Sequence, residues 1–284
     1  MRFLHHDKKQ ASLAPPCSLG VITVSCNASS HSVSPMSEIN LYPQSELELN
    51  KDINELMSKW REIDTNDDVF CSDGFFPYYT SQKHRVLFVG RESRGIGGMD
   101  YINVVLPALH EKILGGCHIN QYAFFRRLMY IAYGFQHDFP NFWDELLPAD
   151  VIATTFGTAE GVSCAYMNIS KTSNENPDNW SSDWAAISAS LKVAIEKEYI
   201  RKEVSLLEPE IIVTLNIEGA LEHLVDKGSL KKVGSIESNL DVFSATVKGK
   251  ECYIFNTWHF TAQKKDLDCF YAPIQAAYRQ YIKK

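Results

Sequence analysis

Four strand-length apolar runs recur down this chain of 284 residues, each ends in polar residues, and helical segments separate them. The runs are 85–90 (RVLFVG), 164–168 (CAYMN), 210–216 (EIIVTLN) and 252–256 (CYIFN). The first and third are apolar almost throughout, the pattern of strands covered on both faces. Segment 121–134 carries Phe124, Phe125, Leu128, Met129 and Ile131 at helical spacing, and 184–207 carries Ile187, Leu191, Ala194 and Ile195. Segments 217–227 and 268–283 are further helical candidates. Strands that alternate with helices are joined by right-handed crossovers and form a parallel sheet. The expected architecture is therefore α/β, a three-layer α/β/α arrangement around a central, mainly parallel four-stranded sheet. Residues 242–247, just ahead of Lys248-Gly249-Lys250, predict a short antiparallel hairpin with 252–256.

Upstream of the first run, Leu49, Ile53, Leu56, Met57 and Trp60 predict a helix, followed by an acidic turn at 64–68 and an aromatic loop at 75–79. Residues 1–37 show no such periodicity. Lys8 and Lys9 precede a short apolar run at 19–24, but Pro15 and Pro16 interrupt the approach and a Ser/Asn-rich stretch follows. This segment reads as a disordered or dispensable leader, with Met36 an alternative start, and 38–284 as a single domain. No stretch approaches the roughly 20 apolar residues of a membrane helix.

Seven cysteines are scattered without a C-x-x-C pair, which argues against a zinc ribbon or a disulfide framework and suits a reducing cytoplasm. Cys164 and Cys252 open apolar runs and read as small buried residues. The formal charge of −7 weighs against a protein that coats nucleic acid through a basic field, and leaves room for a local basic patch.

The chemistry belongs at the strand ends. In an open α/β sheet, ligands bind outside the carboxyl ends of the strands, near the reversal of strand order. Parallel strands would line up Glu92, Asn168 and His259 along one edge despite their distance in sequence. Each has a plainer explanation too. Asn168 can turn the chain after its strand, and Asn216 can cap the helix that follows it. His259 can be a hydrogen-bonded histidine beneath a loop, and Glu92 can pair with Arg91 or Arg94 at the surface. Gly95, Gly97 and Gly98 match neither the P-loop nor G-x-G-x-x-G.

Taken in order, these motifs resemble the uracil-DNA glycosylase superfamily. Residues 86–93 (VLFVGRES) resemble its first motif, 165–168 (AYMN) its base-reading strand, 209–215 (PEIIVTL) its penultimate core strand, and 255–262 (FNTWHFTA) its last motif. Residues 122–128 (YAFFRRL) look like the helix that follows the first motif. The resemblance implies a hydrolase of N-glycosidic bonds in DNA repair, with a nucleobase or nucleic acid, single-stranded or modified DNA included, as partner. It implies Glu92 and His259 as catalytic residues, Asn168 as base reader, and Gly90, Arg91, Ser93 and Arg94 lining the substrate. There are departures. The first motif lacks the usual proline and has Glu92 where Asp or Asn is common. Phe260 and Thr261 replace the Pro-Ser pair, Gln263, Lys264 and Lys265 replace an apolar wedge, and the iron–sulfur cysteines are absent.

On that reading Glu92 would activate water or steady the oxocarbenium-like sugar. Neutral His259 would donate to the charge growing on a base carbonyl, and Asn168 would offer donor and acceptor to one base edge. Phe76 or Tyr101 would stack on the base, and Lys171 or Arg94 would hold a phosphate. No cofactor is called for, and no metal-ligand spacing occurs. Two other classes remain open. One is a nucleobase or nucleic-acid binder on the same fold that cuts nothing. The other is a hydrolase of another small substrate, although no G-x-S-x-G elbow is present.

Overall fold

The computed structural model describes residues 41–64, 67–140, 143–176 and 181–283, apart from the side chains of Asp67 and Glu218. The reading of 1–37 as a leader and of Met36 as a start lies outside the described residues. The chain opens with α1 (Leu47–Arg61), whose Ile53, Leu56, Met57 and Trp60 form the apolar stripe that its spacing predicts. A short strand and a longer one follow, β1 (Gly74–Phe75) and then β2 (Val86–Gly90), with α2 (Tyr101–His110) after them. A small hairpin, β3 (Ile113–Leu114) and β4 (Cys117–His118), leads to α3 (Ala123–Gln136) and α4 (Ala149–Thr154). The second half comprises β5 (Ala165–Asn168), α5 (Trp184–Glu196), α6 (Tyr199–Leu207) and β6 (Ile211–Leu215). It continues with β7 (Lys231–Ile236), β8 (Leu240–Val247), β9 (Lys250–Thr257) and α7 (Ala272–Ala277).

The main sheet has seven strands in the order β1-β5-β2-β6-β9-β8-β7. The α/β class stands, and the four-stranded, mainly parallel description is corrected: the sheet is mixed. Strands β5, β2, β6 and β9 run parallel in its middle. Strand β1 is antiparallel to β5, while β8 and β7 extend the other side as an antiparallel meander. The predicted hairpin is β8–β9, and it continues into β7, whose exposed, Lys-containing sequence lacks the apolar signal of the central strands. Strands β2 and β6 are buried at every position, as their unbroken apolar runs require.

One face of the sheet packs against α2, α3, α4 and the C-terminal helical segment, through residues such as Phe88, Phe124, Leu128, Phe255 and Tyr278. The other packs against α1, α5 and α6 through Leu87, Met57, Ile187, Val204 and Ile254. Three helix predictions are adjusted. Segment 184–207 is two helices, because Glu198 takes the left-handed conformation at φ 56° and ends the first ladder. After β6 there is only a 3-10 turn, Glu218–His223. Asn216 does not cap it; its backbone is left-handed at φ 58° and its carbonyl accepts from Arg91 Nε at 3.1 Å. The C-terminal segment is helical as predicted, with π-type turns at Leu267–Tyr271 and Tyr278–Ile282 on either side of α7. Cys164 and Cys252 are buried free thiols. Among the described residues no helix is long and apolar enough to cross a membrane.

Candidate functional site

The parallel register brings the polar strand ends level. Gly90 is the cross-strand partner of Asn168, Val89 of Thr214, and Leu215 of Thr257. Alternation along β5 puts Tyr166 and Asn168 on one face of the sheet, the face covered by α2 and α3. There the Tyr166 hydroxyl donates to Asn168 Oδ1 at 3.2 Å. This bond lies over Gly90. A Cβ on Gly90 would stand 2.4 Å from the Tyr166 oxygen and 2.5 Å from Asn168 Oδ1. The first-motif glycine is thus explained by a close approach of side chains, with no need for a phosphate cradle.

The Asn168 peptide is held as well. Its N–H donates to Asp73 Oδ2 at 2.7 Å, and its carbonyl accepts from Lys171 Nζ at 3.1 Å. Asn168 is 2% exposed, and its amide nitrogen has no partner among the described residues.

His259 follows β9 and reaches the same face. Its ring packs on Phe124 at 5.8 Å between centroids, and Phe124 in turn meets Tyr166 at 6.1 Å. Phe124, on the first turn of α3, thus links the His259 ring to Tyr166, whose hydroxyl bonds Asn168. The Thr261 N–H donates to His259 Nδ1 at 3.3 Å, and the Thr261 hydroxyl lies 2.7 Å from the same nitrogen. With Nδ1 accepting, the neutral ring carries its proton on Nε2. Burial lowers the His259 pKa to about 4, and the charges of Arg91 and Arg127 push the same way. At neutral pH the ring is an uncharged Nε2–H donor.

The loop that carries His259 is wrapped around a guanidinium. Arg127, 4% exposed, donates to the carbonyls of Phe260, Ala262 at 2.9 Å and Lys264 at 2.6 Å. It pairs with Asp266 at 2.8 Å and lies 4.0 Å from the Phe270 ring centroid. A planar fork with five donors suits such an array of carbonyls; an ammonium does not.

Glu92 stands just beyond β2. Its Oε1 accepts from Asn174 Nδ2 and from the Asp183 N–H, both at 3.3 Å. Burial raises its pKa, and these two hydrogen bonds and the nearby Arg94 oppose the rise. Arg91 stacks over Trp184 at 4.9 Å. Arg94 donates to the carbonyls of Asn176 and Ser181, so it braces both of these residues. Ser93 is buried, with its hydroxyl against the Cys71 thiol.

Three sequence readings are corrected. Lys171 holds no phosphate, because its ammonium is fully buried between Asp73 and Glu203 Oε2, the latter at 2.9 Å, and over the Trp60 ring. Phe76 is 1% exposed and packs edge-on against Phe156, so neither face is open to a base. Tyr101 is stacked on Tyr166 at 4.4 Å and 8° between planes, so that face already has a partner. Gly90 and Asn168 are brought together, and His259 is joined to them through Phe124 and Tyr166; Glu92, Arg91 and Arg94 lie on the loop beyond the same edge.

Sequence reasoning missed Tyr166, Phe124, Arg127, Asp73 and Glu203. Two of these had a signal. Tyr166 is two residues from Asn168, which guarantees a shared face on a strand. Glu203 falls on the stripe Ile200, Glu203, Val204, Leu207 that α6 buries, where a lone charge demands a partner. Among the described residues no group of three or more His, Cys, Asp or Glu side chains is placed to hold a metal ion. The sequence matches no protein-family model and no curated protein.

Proposed function

We propose that this chain binds a nucleobase at the carboxyl edge of its parallel strands and hydrolyses the N-glycosidic bond that joins the base to its sugar. The observation that carries this reading is the run of contacts on one face of the sheet from Asn168 through Tyr166 and Phe124 to an uncharged His259. An amide and a neutral Nε2–H donor are the groups that bind a base edge and receive the charge developing on a departing base. Burial raises the Glu92 pKa, and Glu92 is the carboxylate closest in sequence to Gly90, so it is the candidate general base. In the proposed step water adds to the sugar carbon as the C–N bond breaks. The bonding pair leaves with the base, Glu92 takes the water proton, and His259 Nε2–H steadies the base anion.

The test is release of base from single- and double-stranded oligonucleotides that contain uracil, hypoxanthine or another altered base. Release that is lost in Glu92→Gln, Asn168→Ala and His259→Ala supports the proposal. A second reading, a base binder that cuts nothing, is favoured by the engagement of Glu92 Oε1 with Asn174 and Asp183. It predicts binding that Asn168→Ala abolishes, with no release from any substrate and no effect of Glu92→Gln.

A further inference from the structure

We infer that the Tyr166 hydroxyl is a specificity-determining group: it fixes which end of the Asn168 amide faces the ligand, leaving the NH2 donor toward the site. This deepens the reading above and rests on it for the identity of the ligand, while the geometry of the amide is a property of the free protein. An asparagine side chain is nearly symmetrical in shape, and only its hydrogen bonds decide which end is oxygen. The partner here has one proton to give. Tyr166 donates it to Oδ1 at 3.2 Å, and both side chains are almost wholly buried.

Tyr101 lies flat on Tyr166, with 4.4 Å between ring centroids and 8° between planes, and so holds the Tyr166 ring in place. Tyr101 is in turn anchored at the first position of α2, whose N-cap Asp100 accepts from the Asn103 N–H. Gly90 completes the device, since any side chain there would occupy the volume of the Tyr166–Asn168 bond. The Asn168 backbone cannot swing to compensate, held as it is by Asp73 and Lys171.

The consequence concerns ligand chemistry. A fixed NH2 donor that faces the exocyclic position of the base pairs with a carbonyl oxygen there, and meets an exocyclic amine donor to donor. Tyr166→Phe keeps the ring and its stacking but removes the proton, so the amide can turn over and serve either ligand. With uracil against cytosine, and hypoxanthine against adenine, as probes, the wild type should favour the oxo member of each pair by roughly tenfold or more, the scale of one unmatched buried hydrogen bond. In Tyr166→Phe that ratio should fall to about threefold or less.

A ratio unchanged in Tyr166→Phe overturns the inference. The side-chain amide resonances of Asn168 in protein labelled with 15N-asparagine give a reading that needs no ligand. One sharp NH2 pair in the wild type that shifts or broadens in Tyr166→Phe supports the inference, and an unaltered pair overturns it. If the wild type binds none of the four bases, the nucleobase proposal falls, and the amide resonances still decide the role of Tyr166.

Discussion

Replacing Glu203 with glutamine should leave stability almost unchanged at pH 5, whereas replacing Lys171 with methionine should be severely destabilising. The reasoning starts from charge. Asp73, Lys171 and Glu203 are shut away from water, two potential anions around one cation. A net buried negative charge is costly, so one carboxyl keeps its proton. Burial raises the Glu203 pKa well above the ordinary range; Lys171 opposes this and Asp73 adds to it. Among the described residues its buried Oε1 has no partner in hydrogen-bond geometry, a poor position for an anion and a suitable one for a carboxylic acid turned toward Asp73. Glutamine is close in shape to that neutral acid, so Glu203→Gln should change unfolding free energy by less than about 1 kcal/mol at pH 5. Lys171→Met strands the Asp73 carboxylate and frees the Asn168 carbonyl, and loss of one partner from a buried ion pair costs about 3–5 kcal/mol. That is a large share of the roughly 5–15 kcal/mol of a typical domain.

The pH dependence separates the two explanations. Glu203 has its folded pKa above its unfolded value, so its contribution is fully present below pH about 4.5 and is lost as pH rises through the folded pKa. Over that window the parent loses stability from this group as pH rises, and Glu203→Gln loses none, so the variant should gain on its parent between pH 5 and 7. Urea unfolding followed by tryptophan fluorescence at pH 5, 6 and 7 measures this directly, since Trp60 lies over Lys171. A Glu203→Gln penalty as large as that of Lys171→Met at pH 5, or a difference between parent and Glu203→Gln that is flat with pH, would refute the protonated Glu203.

Three further outcomes are expected. Gly90→Ala should destabilise the chain by about 1–3 kcal/mol, because its Cβ overlaps a buried hydrogen bond, and should abolish base binding; a variant of parental stability and affinity would contradict this. Because His259 has its pKa lowered to about 4, base binding should be flat from pH 8 to 5 and fall near pH 4, and the stability that His259 contributes should be present above pH about 6.5 and lost as pH falls toward 4; an inflection near 6.5 in a pH titration of binding would count against a neutral donor. Arg127→Lys keeps the charge but cannot reach the three carbonyls of the 260–264 loop, so it should lower stability by about 2 kcal/mol or more and weaken base binding, measured by thermal unfolding and titration.

Much of the architecture is readable from local pattern. The apolar runs of β2 and β6, the stripe of α1 and the hairpin of β8 and β9 follow from the periodicity of near neighbours, which depends on the chain alone. So does the gathering of polar residues at one edge, because parallel strands must end together. The break at Glu198 was invisible, since no glycine or proline marks it. Strand β7 was hidden for another reason: an edge strand needs no buried face to show in sequence.

By itself, the sequence determined that strands and helices alternate, which residues stand at the strand ends, and therefore that Gly90, Asn168 and His259 share an edge. Only the tertiary structure decided what each charged or polar group does there. Lys171 lies 98 residues from Asp73 and 32 from Glu203, and no local pattern distinguishes an ammonium held by two carboxylates from one that waits for a phosphate. The same holds for Arg127, which finds its carbonyls more than 130 residues away. Periodicity is set by backbone geometry over a few residues; the partner of a buried charge is set by whatever the fold brings within 3 Å of it, because only there does the interaction offset the loss of water.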